Sequence, residues 1–170
     1  MRSKNFLNIV LFEPEIPQNA GNIARMCVAN DLKLHLIKPL GFKLDDKYLK
    51  RSALDYWEHL EYAVHENWEE FLKTEGFLEI TDSSIPRSPL INNSLHFLSS
   101  KATKNFWEVK YLTNDYLVFG SETRGLSKKI HENYKEQMLL VPMSSINARC
   151  LNLASTVQTV YYEAFRQLSL

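Results

Sequence analysis

Cysteine is nearly absent from this chain, with only Cys27 and Cys150 among its 170 residues. Two thiols are too few for a disulfide framework, and the sequence predicts a cytoplasmic protein. Any apolar run near the ~20 residues needed to cross a bilayer is also missing, so no membrane partner is expected. Met1-Arg2-Ser3-Lys4-Asn5 leads straight into a strand-like segment, without the apolar stretch and cleavage site of a secretory signal. Net charge is missing too: 20 Lys and Arg balance 20 Asp and Glu, so bulk composition gives no support for nucleic-acid binding. The five histidines (His35, His59, His65, His96 and His131) are scattered, with no H-E-x-x-H or C-x-x-C spacing, and no metal is expected. No G-x-G-x-x-G or phosphate-binding P-loop occurs, which argues against nicotinamide and ATP chemistry. There is no internal repeat, low-complexity tract or linker, and the length predicts one domain over residues 1–170.

What is present is an alternation of strand and helix patterns. Phe6–Phe12 is a short apolar run that reads as a buried strand. Pro17 suits the first turn of a helix, whose apolar face is Ala20, Ile23, Ala24 and Cys27, with Gln18, Asn22 and Arg25 on another face. Lys33–Ile37 reads as a strand, Asp45–Leu54 as a helix with Tyr48 and Leu49 inward, Glu61–Val64 as a weak strand and Trp68–Lys73 as a short helix. Strands are expected at Leu95–Leu98, Tyr116–Phe119 and Met138–Val141, and at Phe77–Ile80 before an exposed loop or insertion. Leu151–Gln167 is the strongest helix, with Leu153, Val157, Val160, Tyr161, Ala164 and Leu168 as its stripe. This order predicts an α/β fold with a mainly parallel sheet. Charge is uneven along it. Lys38, Lys43, Lys47, Lys50 and Arg51 against Asp45 and Asp46 leave +3, and the following acidic stretch carries −6. Solvated helix faces account for that asymmetry, although it also permits a phosphate-binding patch.

Three separated motifs carry chemistry. The first, Pro17-Gln18-Asn19-Ala20-Gly21-Asn22-Ile23-Ala24-Arg25, sets two amides and a guanidinium on the opening turns of a helix. Arginine's planar fork suits a phosphate, though a polar outer face with a surface Arg has the same pattern. The second, Phe119-Gly120-Ser121-Glu122-Thr123-Arg124-Gly125-Leu126, breaks from a strand into a loop with two glycines. Gly120 suits close backbone approach to a ligand, and Gly125 a turn or positive φ. The third joins Val141-Pro142-Met143 to Arg149-Cys150-Leu151-Asn152-Leu153-Ala154-Ser155 at the start of the last helix, with Asn152 as a helix-start amide and Ser155 as a cap or site hydroxyl.

Together these motifs resemble the SPOUT superfamily of S-adenosylmethionine-dependent RNA methyltransferases, and most closely its small tRNA wobble-nucleotide 2'-O-methyltransferases, from about Leu7 to Leu168. The resemblance implies helices flanking the sheet, a C-terminal trefoil knot, a homodimer, and no added RNA-binding domain. It implies a methyl transfer from S-adenosylmethionine to the ribose of nucleotide 34, C or modified U, in tRNA. Arg25, Glu122 and Asn152 match catalytic positions. Leu98, Gly120, Val141 and Cys150 match the cofactor lining, and Asn19, Asn22, Arg124, Arg149, Lys47, Lys50 and Arg51 match or suit RNA contacts. Arginine's pKa of ~12.5–13.8 favours an orienting over a basic role for Arg25. The chain departs from the family's pattern where Cys150 replaces Ser and Ala154-Ser155 replaces Ser-Asn. Two other readings stay open: the same chemistry on another tRNA or rRNA nucleotide, and a non-catalytic RNA-binding module.

Overall fold

The computed structural model describes residues 7–45, 47–77, 94–145, 147–148 and 150–169. Six strands, β1 (Leu7–Phe12), β2 (Lys33–Ile37), β3 (Tyr62–His65), β4 (Leu95–Leu98), β5 (Asp115–Phe119) and β6 (Met138–Leu139), form one sheet in the order β3-β2-β1-β5-β4-β6. Every pairing is parallel, with Asn8 opposite Lys33 and Tyr116, and Leu98 opposite both Phe119 and Leu139. Parallel strands need covering on both faces, which explains why β1 is buried at all six positions.

Alternation along the strands divides the core in two. Leu7, Ile9 and Leu11 point toward α1 (Pro17–Ala29) and α5 (Leu153–Leu168), where they meet Ile23, Ala24, Cys27, Val157, Val160, Tyr161 and Ala164. Val10 and Phe12 point the other way, into an aromatic layer of Phe97 and Tyr116 covered by Trp68 and Phe71 of α3 (Trp68–Thr74) and by Ile130 of α4 (Lys128–Asn133). Truncating such fully buried side chains costs ~2–5 kcal/mol. α2 (Lys47–Ala53) lies against α1 at Gly21, where an added Cβ would sit 2.5 Å from Ser52 Cβ and 2.9 Å from the Leu49 carbonyl.

Several expected elements differ in extent. The helix predicted over Asp45–Leu54 begins at Lys47 and gives way to a 3-10 turn over Leu54–His59. In it Leu49 is buried, as expected, but Tyr48 faces out, because the short helix docks on α1 through Leu49, Ser52 and Ala53. β6 stops at Leu139, since Leu140 leaves β4 to pair with Asn105. Phe77 is buried but belongs to no strand, and residues 78–93, with the loop expected there, lie outside the described residues. α4 was not expected; its start is set by Ser127, whose hydroxyl accepts from Ile130 N. Among the described residues no helix is long and apolar enough to cross a membrane.

Candidate active site

The loops leaving the carboxyl ends of β1, β4, β5 and β6 meet around a cavity of about 800 Å³. Ligand sites of open parallel sheets form at this edge. Its walls bring together Asn19 from the first motif, Gly120, Glu122, Arg124 and Gly125 from the second, and Val141, Cys150 and Asn152 from the third, with Leu98 and Phe119 as apolar floor. Residues more than a hundred positions apart in sequence thereby share one site.

A hydrogen-bonded chain holds the three motifs to one another. Glu122 Oε2 accepts from Glu15 N at 2.8 Å, and Oε1 accepts from Ile16 N at 3.2 Å and Asn19 Nδ2 at 3.0 Å. Asn19 Oδ1 then accepts from Asn152 Nδ2 at 2.9 Å. Asn152 Oδ1 in turn caps α5, accepting from Ala154 N and Ser155 N at 2.9 and 3.4 Å. The cap is therefore Asn152 and not Ser155, which contributes only its backbone N–H. Helix α1 has no acidic residue in its first turn and no side-chain cap of its own. The Glu122 carboxylate supplies the negative charge that this helix end favours. Glu122 and Asn152 thus shape the site by fastening the first turns of α1 and α5.

The two glycines divide their tasks. Gly125 takes φ +68, the left-handed turn expected of it. At Gly120 a Cβ would lie 2.2 Å from the Gly125 carbonyl carbon and 2.3 Å from Leu126 N. The close approach Gly120 permits is that of the loop to itself, and it folds residues 120–126 back over the strand end.

A second latch escaped the sequence reading. Glu15 Oε2 accepts from the Thr123 hydroxyl at 2.6 Å and from Thr123 N at 3.1 Å, while Arg124 Nε reaches Glu15 Oε1 at 3.3 Å and Arg124 Nη2 reaches Glu13 Oε2 at 3.2 Å. The Thr123 hydroxyl foremost, then its backbone N–H and Arg124, hold the Glu15 carboxyl below the usual carboxylate range. Arg124 is therefore engaged with two carboxylates, although it remains largely exposed. Nothing local to Glu13-Pro14-Glu15 signals this role, because its partners lie across the fold.

Arg25 and Asn22 are exposed on α1 and do not line this cavity. The Arg25 guanidinium stands 5.5 Å from the Tyr56 ring centroid. Lys47 and Arg51 are exposed on α2, likewise outside the cavity lining, and Lys47 Nζ lies 5.1 Å from the Tyr48 ring. Lys50 belongs to α2, and Arg149 lies outside the described residues. The thiol of Cys150 is exposed at the cavity, whereas Cys27 is buried on the core face of α1, and burial pushes its thiol well up.

The histidines are less scattered than their spacing suggests. The parallel pairing of β2 with β3 sets His35 Nδ1 3.0 Å from His65 Nε2, and Glu75 Oε1 3.6 Å from His35 Nδ1. Glu75 is already bonded by Lys33 Nζ at 3.3 Å and by the Tyr116 hydroxyl at 2.8 Å. Burial pushes His35 down to about 2 and also lowers His65, so this is a neutral imidazole pair inside the aromatic layer.

An all-parallel sheet that gathers three motif loops into one cavity at its carboxyl edge has the architecture of SPOUT methyltransferases. The chain belongs to the SpoU rRNA methylase family, which it matches over residues 6–162. It is 45% identical over 162 residues to the tRNA (cytidine(34)-2'-O)-methyltransferase of Saccharophagus degradans, covering 95% of each chain. It is 41% identical over 163 residues to the enzyme of the same name from Escherichia coli K12, covering 95% of this chain and 94% of that one. A solved structure described as giving insights into the 2-OH methylation of C/U34 on tRNA superposes with a TM-score of 0.83 at 38% identity over 97% of each chain. The fold alone extends to the SpoU methyltransferase AviRb from Streptomyces viridochromogenes, solved with AdoMet, at TM-score 0.76 and 20% identity over 99% of this chain and 60% of that one.

Proposed function

We propose that this protein methylates the ribose 2'-hydroxyl of nucleotide 34, cytidine or modified uridine, in tRNA, using S-adenosylmethionine. The observation that carries the reading is the Glu122–Asn19–Asn152 chain, which joins the family's three motifs around one cavity. Full-length relatives bearing the cytidine-34 name support the choice of nucleotide. The cavity suits the cofactor: apolar Leu98, Phe119 and Val141 can take an adenine, and polar groups from Ser99, Asn19 and Asn152 surround its open side. When bound, S-adenosylmethionine would supply an electrophilic methyl on a sulfonium sulfur, which would keep the pair of the broken S–C bond as the ribose oxygen forms the new C–O bond and its proton is released to solvent.

The protein contributes alignment and exclusion of water, which reduce the barrier most when the reacting groups are held in line. Leu98, Gly120, Val141 and Cys150 hold the cofactor through backbone groups and apolar contact. Glu122 and Asn152 keep the cavity's two helical walls in register. Arg25, with Asn22, orients the target ribose or its phosphate, and Arg124, Arg149, Lys47, Lys50 and Arg51 contribute cationic contacts to RNA. Arg25 lies outside the lining of its own cavity, which a homodimer sharing one RNA cleft between subunits accounts for. Exposed Tyr162 on α5 and exposed Leu151 and Ile16 at the cavity supply apolar surface for that contact.

A C-terminal trefoil knot is part of the proposal. β6 lies at the sheet edge beyond β4, yet α5, which follows it, packs against α1 and β5. The chain between them must recross the ends of β4 and β5, past the loop folded back at Gly120. A tRNA substrate supports a cytoplasmic location. Mapping 2'-O-methyl groups in tRNA from cells with and without the gene tests the function. Loss of the methyl at nucleotide 34 alone is expected, and an unchanged pattern would contradict it.

A further inference from the structure

We propose that Lys101, with Lys128 beside it, forms a subsite for a phosphodiester of the RNA backbone at the mouth of the cavity, an inference that rests on the methyltransferase reading above. Lys101 lines both the large cavity and an adjoining cleft of about 470 Å³, whose walls also carry Glu13, Arg124, Lys128 and His131.

The backbone beneath Lys101 is fixed. Leaving β4, the chain turns at once, with Ala102 N donating to the Ser99 carbonyl and Lys101 N to Ser99 Oγ, each at 3.2 Å. Ser99 Oγ lies 2.9 Å from His131 Nε2, and His131 Nδ1 lies 3.0 Å from the Ser127 carbonyl. A carbonyl only accepts, so Nδ1 donates to it, while Nε2 pairs with the Ser99 hydroxyl. The turn is thereby tied to α4, across the cleft from which Lys128 projects.

Charge accounting singles out Lys101. The cleft's Arg124 already faces Glu13 and Glu15, which offset part of its charge. Lys128 faces Glu132 at 3.5 Å, but its side chain is 90% exposed, and such a pair holds it weakly. The Lys101 ammonium has no carboxylate partner among the described residues. An uncompensated cation at the rim of a substrate cavity selects an anionic group. A ribose presenting its 2'-hydroxyl to the donor carries a phosphodiester on the adjacent 3'-oxygen. That group must therefore sit close to the reacting atom, outside the donor's own volume, where the cleft opens.

The test is tRNA binding by fluorescence anisotropy across about 50–200 mM salt, with AdoMet affinity measured separately by calorimetry. Each phosphate contact contributes ~0.7–0.9 to the slope of log K against log salt. Lys101→Met should flatten the slope by about that amount and weaken RNA binding roughly tenfold at low salt, as expected for a charge-assisted bond. It should leave AdoMet affinity and melting temperature unchanged. Lys101→Arg should restore the wild-type slope, and Lys101→Met with Lys128→Met should flatten it further. An unchanged slope in Lys101→Met, or a loss of AdoMet affinity with the slope intact, would overturn the subsite; the second result would assign Lys101 to the donor's carboxylate. Failure of the wild-type protein to methylate tRNA contradicts the functional reading instead, whereas an unaltered slope in an enzyme that does methylate contradicts the subsite alone.

Discussion

Glu122→Gln separates a structural from a purely chemical role for the residue between the motifs. The amide is isosteric with the carboxylate but converts one acceptor oxygen into a donor. All three groups that Glu122 receives, from Glu15 N, Ile16 N and Asn19 Nδ2, are donors. Whichever way the amide turns, an N–H faces an N–H. Hydrogen bonds to a charged acceptor contribute ~1.5–3 kcal/mol each, and water at this half-buried site replaces part of that. Loss of the negative charge at the α1 end costs a further ~0.3–1 kcal/mol. A destabilisation of about 2–4 kcal/mol follows, or ~4–16 °C in melting temperature for a domain of this size. Thermal unfolding of the purified variant measures it. AdoMet binding should weaken as well, because Asn19 and Asn152 lose their anchor. A variant that melts with the wild type and binds AdoMet normally, yet has lost methyl transfer, would refute this account and make Glu122 a reacting group.

Two further outcomes follow from the same geometry. Arg25→Ala removes an exposed guanidinium whose contact with Tyr56 is worth only ~0.5–1 kcal/mol, so the melting temperature should fall by no more than ~4 °C while methyl transfer at saturating RNA falls more than about tenfold; retained activity would assign Arg25 to the surface. His35, held neutral at about 2 in the fold, takes up its proton near the ordinary ~6.5 once unfolded, so the unfolded chain binds more protons below that pH. Its stability contribution is complete above pH ~6.5 and is lost as pH falls toward 2, costing about 2 kcal/mol between pH 8 and pH 5, with His65 adding in the same direction. Denaturant midpoints across that range should fall further in the wild type than in His35→Phe, which keeps only the smaller loss from His65.

The strands β1, β2, β4 and β5 and the helices α1 and α5 were legible because each carries a mostly apolar or alternating run or a full helical stripe. Pro17 and Asn152 marked two helix starts by local chemistry that survives any tertiary context. Among the short elements, α3 and β3 were read to within a residue or so, whereas α4 was missed and α2 misjudged in extent and facing. A seven-residue helix containing Tyr48 and Leu49 is too short to show which face docks, and Gly21, which fixes that docking, reads as an ordinary small residue. The walls of the cavity were legible through the motifs, yet the bonds among them were not. Glu15 finds Thr123 and Arg124, and His35 finds His65 and Glu75, only through the sheet order. No local pattern encodes such pairs.

The central claim, that this cavity directs methyl transfer to one ribose hydroxyl, is tested most directly with two tRNA transcripts differing at a single atom. One carries cytidine at nucleotide 34, and the other carries 2'-deoxycytidine there. With purified protein and labelled S-adenosylmethionine, the account predicts incorporation into the first, mapped to the 2'-oxygen of nucleotide 34, and none into the second. Equal labelling of both transcripts would contradict it.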